Sequence, residues 1–500
     1  LQLAEIDALA AQHQQGWPSR AAFVERIMPE HSHRGDVEGV ALIDGSVLVN
    51  APFSEAMAAL GDRPAQREVD RRFVYIDPHP DQVGGLSRSD PRLPGFFSVI
   101  FGSLSSIPRE QPVRDNLDDI AHASRERARL KQIVDALRPE VEETVSRLFG
   151  RTLFFNRPTV GRLTAWRAKA QQAAAEQAGY AFQAYGQVKL TGIIQSLADV
   201  IQAAAPELER AQNIAIGDFL TQHLAVAGLD RVSMIRGGAS DQAITFFRDH
   251  DLGFRIRRLR LLARRLSEDW DDIDSFAPDA RQNARDTVFR ALSLYFDREG
   301  SNSLGGDFPA VAGKVFAEPD RVLETIANRR QLPAADLVVD AMLVETMADL
   351  PLELRRRILL TYLGFPFYDT VTLPLLRGEG SSELEPAKVD RISPDDCNAI
   401  RSGGTRATLR GVEFYNFGAF FSRAYRENDY LWGRLHGVER MIDIIASTLP
   451  RGMTLEPDAI AAFKHDAFLA VLDEEESRLR VDPNLISGLR MEIETAHQRG

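Results

Sequence analysis

Residues 115–364 repeat apolar side chains three and four positions apart, and this is the feature that most restricts the fold. Such spacing places the apolar side chains on one face of a helix, so the stretch predicts a succession of amphipathic helices packed on one another. Prolines and a glycine-rich loop interrupt the pattern and predict where helices end. The expected breaks are Pro206, Pro278, 298–310 and Pro333.

The N-terminal part has a different character. The stretch ALIDGSVLVNAPF (41–53) predicts a strand, a glycine turn and a second short β segment. A helix-forming run from Pro52 to Leu60 follows, with proline in its first turn. RRFVYIDPHP (71–80) is apolar at successive positions and ends at prolines, which favours a strand buried on both faces of a sheet. Strand, helix and strand in this order predict a βαβ unit.

The C-terminal part mixes both patterns. FPFYDTVTLPLL (365–376) is compatible with a short strand, and 389–394 is predicted to pair with 408–415. A long helix at 416–448 and two further helices are expected to close the chain. The predicted fold class is therefore α/β plus mainly α. Its expected domains are 1–85 as an α/β part, 86–114 as a connector, 115–364 as a helical region and 365–500 as an α+β region.

Charge and cysteine content exclude some classes of function. The chain carries 60 Lys and Arg against 72 Asp and Glu, a net charge of −12, which argues against nucleic acid as a partner. Its one cysteine, Cys397, excludes an intrachain disulfide and fits a reducing compartment. No apolar run reaches the length of about 18 residues that a membrane-spanning helix needs. We expect a cytoplasmic protein, with peripheral membrane contact as a further expectation.

Asp44 is the residue that most needs an explanation, because it follows an apolar run and a buried carboxylate is costly unless something holds its charge. Asp-Gly is a common turn pair, so a turn role is one interpretation. The other is a general base for a serine nucleophile. Gly45 permits unusual backbone angles, and Asn50 can bond the turn backbone. The residues alone leave both interpretations open.

The motif has a family resemblance. DG(S)xxxNxPF, a short helix and the strand RFVYIDPxP together resemble the C-terminal end of a patatin-like acyl hydrolase domain. The resemblance implies that Asp44 is the aspartate of a Ser–Asp dyad, with Gly45 and Asn50 as supporting motif residues. Ser46 stands where that family usually has Gly or Ala.

The resemblance extends over most of the chain. The segments 101–117 and 417–445 resemble the long helical extension of a bacterial branch of patatin-like proteins. The implied fold is the C-terminal end of a patatin-like α/β domain, residues 1–85, followed by a large helical extension with a small β insertion.

The implied function is part of a serine acyl hydrolase of lipase or phospholipase type, acting on lipid or acyl esters without metal or cofactor. The chain has no Gly-x-Ser-x-Gly elbow; its nearest match, GLSRS (85–89), lacks the last glycine. The expected serine therefore lies upstream of Leu1, the sequence is expected to be N-terminally truncated, and this chain alone lacks the nucleophile. The alternative is a non-catalytic helical interaction or scaffold module with a relic α/β part.

Two polar clusters raise the question of a metal site. Asp77, His79 and Asp81 follow the predicted strand, and the loop-like HSHRGD (31–36) has further ligand types. Their spacing fits no known metal site, and a strand end with a proline turn explains the first cluster. No metal is expected.

Three segments have both a membrane interpretation and a plainer one. The apolar 94–108 favours either a buried connector or contact with a lipid surface. The basic, amphipathic 255–265 favours either a solvent-facing helix or contact with anionic lipid. The segment 422–440 favours either a packed helix with ion pairs such as Arg423–Glu427 and an aromatic face around Trp432, or a headgroup-binding or docking surface.

Overall fold

The structure is a computed structural model. It describes residues 3–12, 16–40, 56, 71–77, 107–150, 158–208, 215–229, 231–234, 238–269, 276–375, 388–412, 422–449 and 453–497. The described residues belong to two compact units. The first, here the sheet unit, lies within Leu1–Met57, Asp70–Ala121 and Ala387–Gly500. The second, the helical unit, lies within Ala58–Val69 and His122–Pro386.

The sheet unit combines two short strands with helices. Its described elements are α1 (Leu3–Gln12), α2 (Arg20–Ile27), α3 (Pro29–Arg34), β1 (Arg72–Ile76), the start of α4 (Ile107–Phe149), β2 (Lys388–Ile392), α15 (Gly404–Thr408), α16 (Arg423–Ala446), α17 (Pro457–Glu475) and α18 (Leu485–His497). The strands β1 and β2 pair in parallel, with Arg72 opposite Lys388 and Ile76 opposite Ile392. A core around Trp432 and Leu435 joins α16, α17 and α18.

The helical unit is built from helices throughout its described residues, apart from one isolated bridge between Ser233 and Ala239. This unit includes the part of α4 from His122 onward. Its other helices are α5 (Val160–Ala178), α6 (Ala181–Ala204), α7 (Ile216–Leu224), α8 (Asp241–His250), α9 (Leu252–Arg264), α10 (Pro278–Phe296), α11 (Phe308–Ala312), α12 (Pro319–Arg330), α13 (Leu332–Asp349) and α14 (Leu352–Thr372). The predicted succession of helices is confirmed, and most described residues of the chain are helical.

Local sequence signals explain where several of these helices begin. Pro278, Pro319 and Pro333 lie in the first turns of α10, α12 and α13, where a missing N–H costs nothing. Asp251 separates α8 from α9, and its Oδ1 accepts a hydrogen bond of 2.9 Å from the Phe254 N–H. The apolar periodicity predicts one continuous helix over 240–268. The structure has two helices there instead, and the Asp251 side chain caps the start of the second.

Three details of the sheet prediction are wrong. Among the described residues the partner of β2 is β1, since 404–408 forms α15 and 409–412 form no strand, while 413–415 lie outside the described residues. The strand β1 is not buried on both faces, because Val74 is 42% and Ile76 75% exposed. Residues 365–372 are helical, not extended, because Phe365 and its neighbours pack into the core as the end of α14. The βαβ unit predicted from 41–70 lies outside the described residues.

Among the described residues, no helix is both long enough and apolar enough to cross a bilayer.

The close packing of α4 against α14 allows a direct test. A Cβ on Gly364 would lie 2.7 Å from Val141 Cγ1 and 3.6 Å from Cγ2 of Val145, a fully buried side chain. We expect Gly364→Ala to lower the free energy of unfolding by about 1–2 kcal/mol through overpacking. The matched control is Gly192→Ala in α6, where a Cβ meets nothing within 4 Å.

The control should stabilise the protein by about 0.5–1 kcal/mol, because alanine is the better helix former. Urea unfolding of both variants measures the difference. Equal stabilisation by the two substitutions would contradict the packing of Gly364 against Val141.

Candidate functional site

The residues of the predicted dyad motif are not described by the structure. Asp44, Gly45 and Asn50 lie within 41–55, outside the described residues, as does the apolar segment 94–106. Their predicted roles therefore stay predictions. Two clusters of polar side chains lie among the described residues, one at the end of the sheet and one inside the helical unit.

The first cluster lies at the carboxyl edge of the parallel strands, where α/β proteins commonly bind ligands. Asp77 directly follows β1, and its N–H donates a hydrogen bond of 2.9 Å to the carbonyl oxygen of Ile392. Arg391 lies in β2, and Asp396 follows that strand. The parallel register thus brings one guanidinium and two carboxylates to the same edge.

The Arg391 guanidinium is already bound at this edge. Its Nε and Nη2 donate hydrogen bonds of 2.7 and 2.8 Å to the two carboxylate oxygens of Asp396, and its Nη1 lies 3.7 Å from Asp77 Oδ2. The bonds to Asp396 raise the pKa of Arg391 against the opposing effect of burial. Burial raises the pKa of the neighbouring Tyr75. The cluster therefore ties the two strands and the following turn together.

Two further side chains near this edge have nucleophilic atoms. Ser393 is 1% exposed, and its Oγ accepts a hydrogen bond of 3.4 Å from the Asp395 N–H. The Cys397 thiol is buried and donates to the His436 carbonyl oxygen at 3.5 Å. Burial raises the pKa of Cys397 to about 12. A thiol is reactive as its thiolate, so this cysteine is held in its inert form.

The structure describes part of the histidine-containing segment 31–36 near the N-terminus. His31 Nδ1 lies 2.9 Å from Asp36 Oδ1, and residues 29–34 form the short helix α3 rather than the loop predicted for 31–36. Within the described ranges, no three His, Cys, Asp or Glu side chains gather closely enough to hold a metal ion.

The helix α16 has the packed, ion-paired character that one interpretation of 422–440 predicts. Arg423 Nε donates to Glu427 Oε1 at 3.0 Å, which confirms the predicted i,i+4 pair. Trp432 is 1% exposed and lies in the core of the sheet unit. Arg434 binds Glu475 and also Glu474, at 2.7 Å. This helix therefore uses its charges to bind neighbouring segments of the same unit.

The second cluster, in the helical unit, overturns both interpretations of 255–265. That segment forms most of α9, and its arginines point inward: Arg255 is 5% and Arg258 1% exposed. A solvent-facing or lipid-facing helix would expose these guanidinium groups. Arg255 is tolerated inside because Asp336 of α13 neutralises it, and Asp369 of α14 does the same for Arg257, a pairing that buried charges require.

Asp336 of α13 is bound from three sides. Arg255 donates to both carboxylate oxygens at 2.8 and 2.9 Å, and the Tyr295 hydroxyl donates to Oδ1 at 2.6 Å. Arg167 Nη1 lies 3.0 Å from Oδ2. Burial alone would raise the pKa of Asp336, but the bonds and charge of Arg255, with Arg167, hold it well below its usual value.

Asp340 lies one turn further along α13 and is fully buried. Its Oδ2 accepts hydrogen bonds of 2.9 Å from Thr164 Oγ1 and 3.0 Å from Arg167 Nη2. The Tyr362 hydroxyl donates to its Oδ1 at 2.9 Å. The two aspartates of α13 thus bind α5, α9, α10 and α14.

Asp369 of α14 completes the arrangement. Arg257 donates to its two oxygens at 2.8 and 3.0 Å, and the Tyr185 hydroxyl donates to Oδ2 at 2.7 Å. Next to it, Lys189 Nζ lies 2.7 Å from Asp251 Oδ2 and donates to the Tyr185 hydroxyl at 3.2 Å. The whole set is named here the buried charge cluster: Arg167, Lys189, Asp251, Arg255, Arg257, Arg258, Asp336, Asp340 and Asp369.

Sequence reasoning missed this cluster although a signal was present. Asp336 and Asp340 are four residues apart in the otherwise apolar stretch 332–344, and a carboxylate among apolar neighbours needs a cation. The basic run 255–265 supplies such cations. The ion pairs of the cluster join α5, α6, α9, α13 and α14 to one another or to Asp251 before α9.

A buried histidine in the sheet unit predicts acid sensitivity. His436 is 5% exposed, its Nε2 has no hydrogen-bond partner among the described residues, and burial lowers its pKa to about 4. Between about pH 6.5 and 4 the unfolded chain takes up a proton here that the folded chain does not. We therefore expect His436 to remove about 2 kcal/mol of stability as the pH falls from 7.5 to 4.5, with no contribution above pH 7.5.

Urea midpoints of the wild type and His436→Gln at both pH values measure this contribution. The variant should lose less stability on acidification than the wild type. An identical loss in both proteins would show that His436 accepts a proton in the fold.

One comparison with known proteins gives a match. The profile of a family described as "Protein of unknown function (DUF3376)" matches residues 319–474. The matched segment runs from the start of α12 into α17 and includes Asp336, Asp369 and Arg391. The chain matches no curated protein and no solved structure.

Proposed function

We propose that this chain is part of a patatin-like serine acyl hydrolase that cleaves ester bonds in lipids. The observation that carries the proposal is the motif at 41–53, with Asp44 and Gly45 after an apolar run and Asn50 before Pro52. In this proposal Asp44 is the general base of a dyad whose serine lies upstream of Leu1.

The surroundings of the motif support the proposal. The resemblance implies a short helix and then a strand after the motif, and Arg72–Ile76 is a strand with a parallel partner. Parallel strands are typical of α/β sheets. The long helical part that follows agrees with the extension of the bacterial branch.

The proposed chemistry needs no metal. The Asp44 carboxylate takes the proton of the serine hydroxyl while the serine oxygen attacks the ester carbonyl carbon. The tetrahedral intermediate expels the alcohol, which receives that proton. Water then attacks the acyl-enzyme, giving the free acid and restoring the serine. A lipid ester as substrate favours peripheral contact with a membrane surface, and the single cysteine favours a cytoplasmic location.

Labelling with a fluorophosphonate probe tests the proposal. The protein extended to include the upstream region is treated beside the 500-residue chain, and the adduct is mapped by peptide mass spectrometry. We expect one labelled upstream serine in the extended protein and none in the 500-residue chain. No labelling of a folded extended protein would contradict the acyl-hydrolase proposal, and labelling within residues 1–500 would contradict the position of the nucleophile.

One observation favours a second candidate function. The family match covers 319–474, which includes helices of both units and β2 but none of the motif at 41–53. A shared segment without the motif favours a helical interaction or scaffold module. An upstream region without a Gly-x-Ser-x-Gly elbow would favour this candidate over the enzyme.

A further inference from the structure

Arg258 has an unused hydrogen-bonding edge inside the helical unit. Its side chain is 1% exposed, and its Cζ lies 4.2 Å from the centre of the Tyr362 ring and 5.7 Å from that of Phe254. Its Nε and Nη2 have no hydrogen-bond partner among the described residues. These two nitrogens form the edge of a guanidinium that binds both oxygens of a planar oxyanion.

The charges of the buried charge cluster do not balance. Its cations are Arg167, Lys189, Arg255, Arg257 and Arg258, and its carboxylates are Asp251, Asp336, Asp340 and Asp369. Every cation of the cluster except Arg258 forms an ion pair with one of these carboxylates. An unpaired buried charge is costly, so one further monoanion would complete the cluster.

The neighbouring donors are already occupied. The Tyr295 hydroxyl donates to Asp336, and the Tyr362 hydroxyl donates to Asp340. The face of the Arg258 guanidinium lies against the Tyr362 ring, which leaves its edge as the donor for a ligand. A carboxylate has the planar shape, the two oxygens and the single charge that this edge requires.

We propose that the helical unit binds a carboxylate monoanion on the Nε–Nη2 edge of Arg258. The depth of the side chain restricts the group at this edge to a compact head, either a free small carboxylate or the carboxyl end of a fatty acid. The site is independent of the proposed dyad, since it uses none of the residues at 41–53.

Thermal unfolding of the 500-residue chain in sodium acetate and in sodium chloride of equal ionic strength tests the site. We expect acetate to raise the Tm by about 3 °C at ten times its half-saturating concentration. Arg258→Met should abolish the difference between the two salts. Arg258→Lys, which keeps the charge and loses the two-nitrogen edge, should lose most of it.

The matched control is Arg321→Met in the same unit, because Arg321 is 65% exposed and pairs with Glu318 on the surface. It should respond to acetate as the wild type does. An equal response in Arg258→Met and the wild type, or no response in the wild type, would overturn the proposal and leave only ordered water on this edge.

Calorimetric titration with acetate, octanoate and inorganic phosphate identifies the ligand. Tighter binding of octanoate than of acetate, lost in Arg258→Lys, would support the fatty-acid source. Equal binding of the two would support a free small carboxylate. Preference for phosphate would overturn the assignment of a carboxylate.

Discussion

Asp44→Asn is expected to lower the turnover of a lipid ester by about 10²–10⁴-fold in the protein that includes the upstream region, the range that a general base contributes. Asparagine has nearly the same shape as aspartate but cannot take the serine proton. The loss should therefore appear in kcat, with the thermal unfolding temperature close to that of the wild type. Hydrolysis of a chromogenic acyl ester and of phospholipid vesicles measures the effect.

Asp36→Asn provides the matched control, because Asp36 lies shortly before the motif, its side chain is 52% exposed, and its Oδ1 lies 2.9 Å from His31 Nδ1. It should leave turnover unchanged. Substantial residual activity in Asp44→Asn, with an intact fold, would contradict the role of Asp44 as the general base of a dyad. Asp44 would then be a turn residue.

Asp336→Asn should lower the free energy of unfolding of the helical unit by about 3–5 kcal/mol, the cost of breaking a buried ion pair from one side. The substitution preserves the volume of the side chain. It leaves Arg255 buried without its carboxylate partner, and it leaves Arg167 with Asp340 as its remaining partner in the cluster. It also removes the charge that accepts the Tyr295 hydrogen bond. Urea unfolding followed by circular dichroism measures the loss.

The same chemistry at the surface supplies the control. Asp307 accepts hydrogen bonds of 2.9 and 2.7 Å from the two terminal nitrogens of Arg329, yet its side chain is 70% exposed. Solvent screens this pair, so Asp307→Asn should leave the unfolding midpoint near that of the wild type. Equal effects of Asp307→Asn and Asp336→Asn would contradict the inward orientation of the α9 arginines.

The sequence by itself determined where most helices and one strand form. Apolar spacing of three and four residues predicted the helical character of 115–364, and prolines marked the starts of α10 and α13, but this local signal missed the division between α8 and α9. The run at 72–76 was identifiable as a strand from its own residues. Both signals depend on a few neighbouring residues, so they can be recognised without knowing how the rest of the chain folds.

Only the tertiary structure decided which faces are buried and which strands pair. Arg255 and Arg257 of α9 point inward because Asp336 and Asp369, far along the chain, neutralise them. The strand β2 pairs with β1 rather than with the segment that follows it. Periodicity in the sequence shows that a helix has an apolar and a polar face. Which face is buried depends on the energies of burial and charge pairing, and the residues that supply these energies are distant in the sequence.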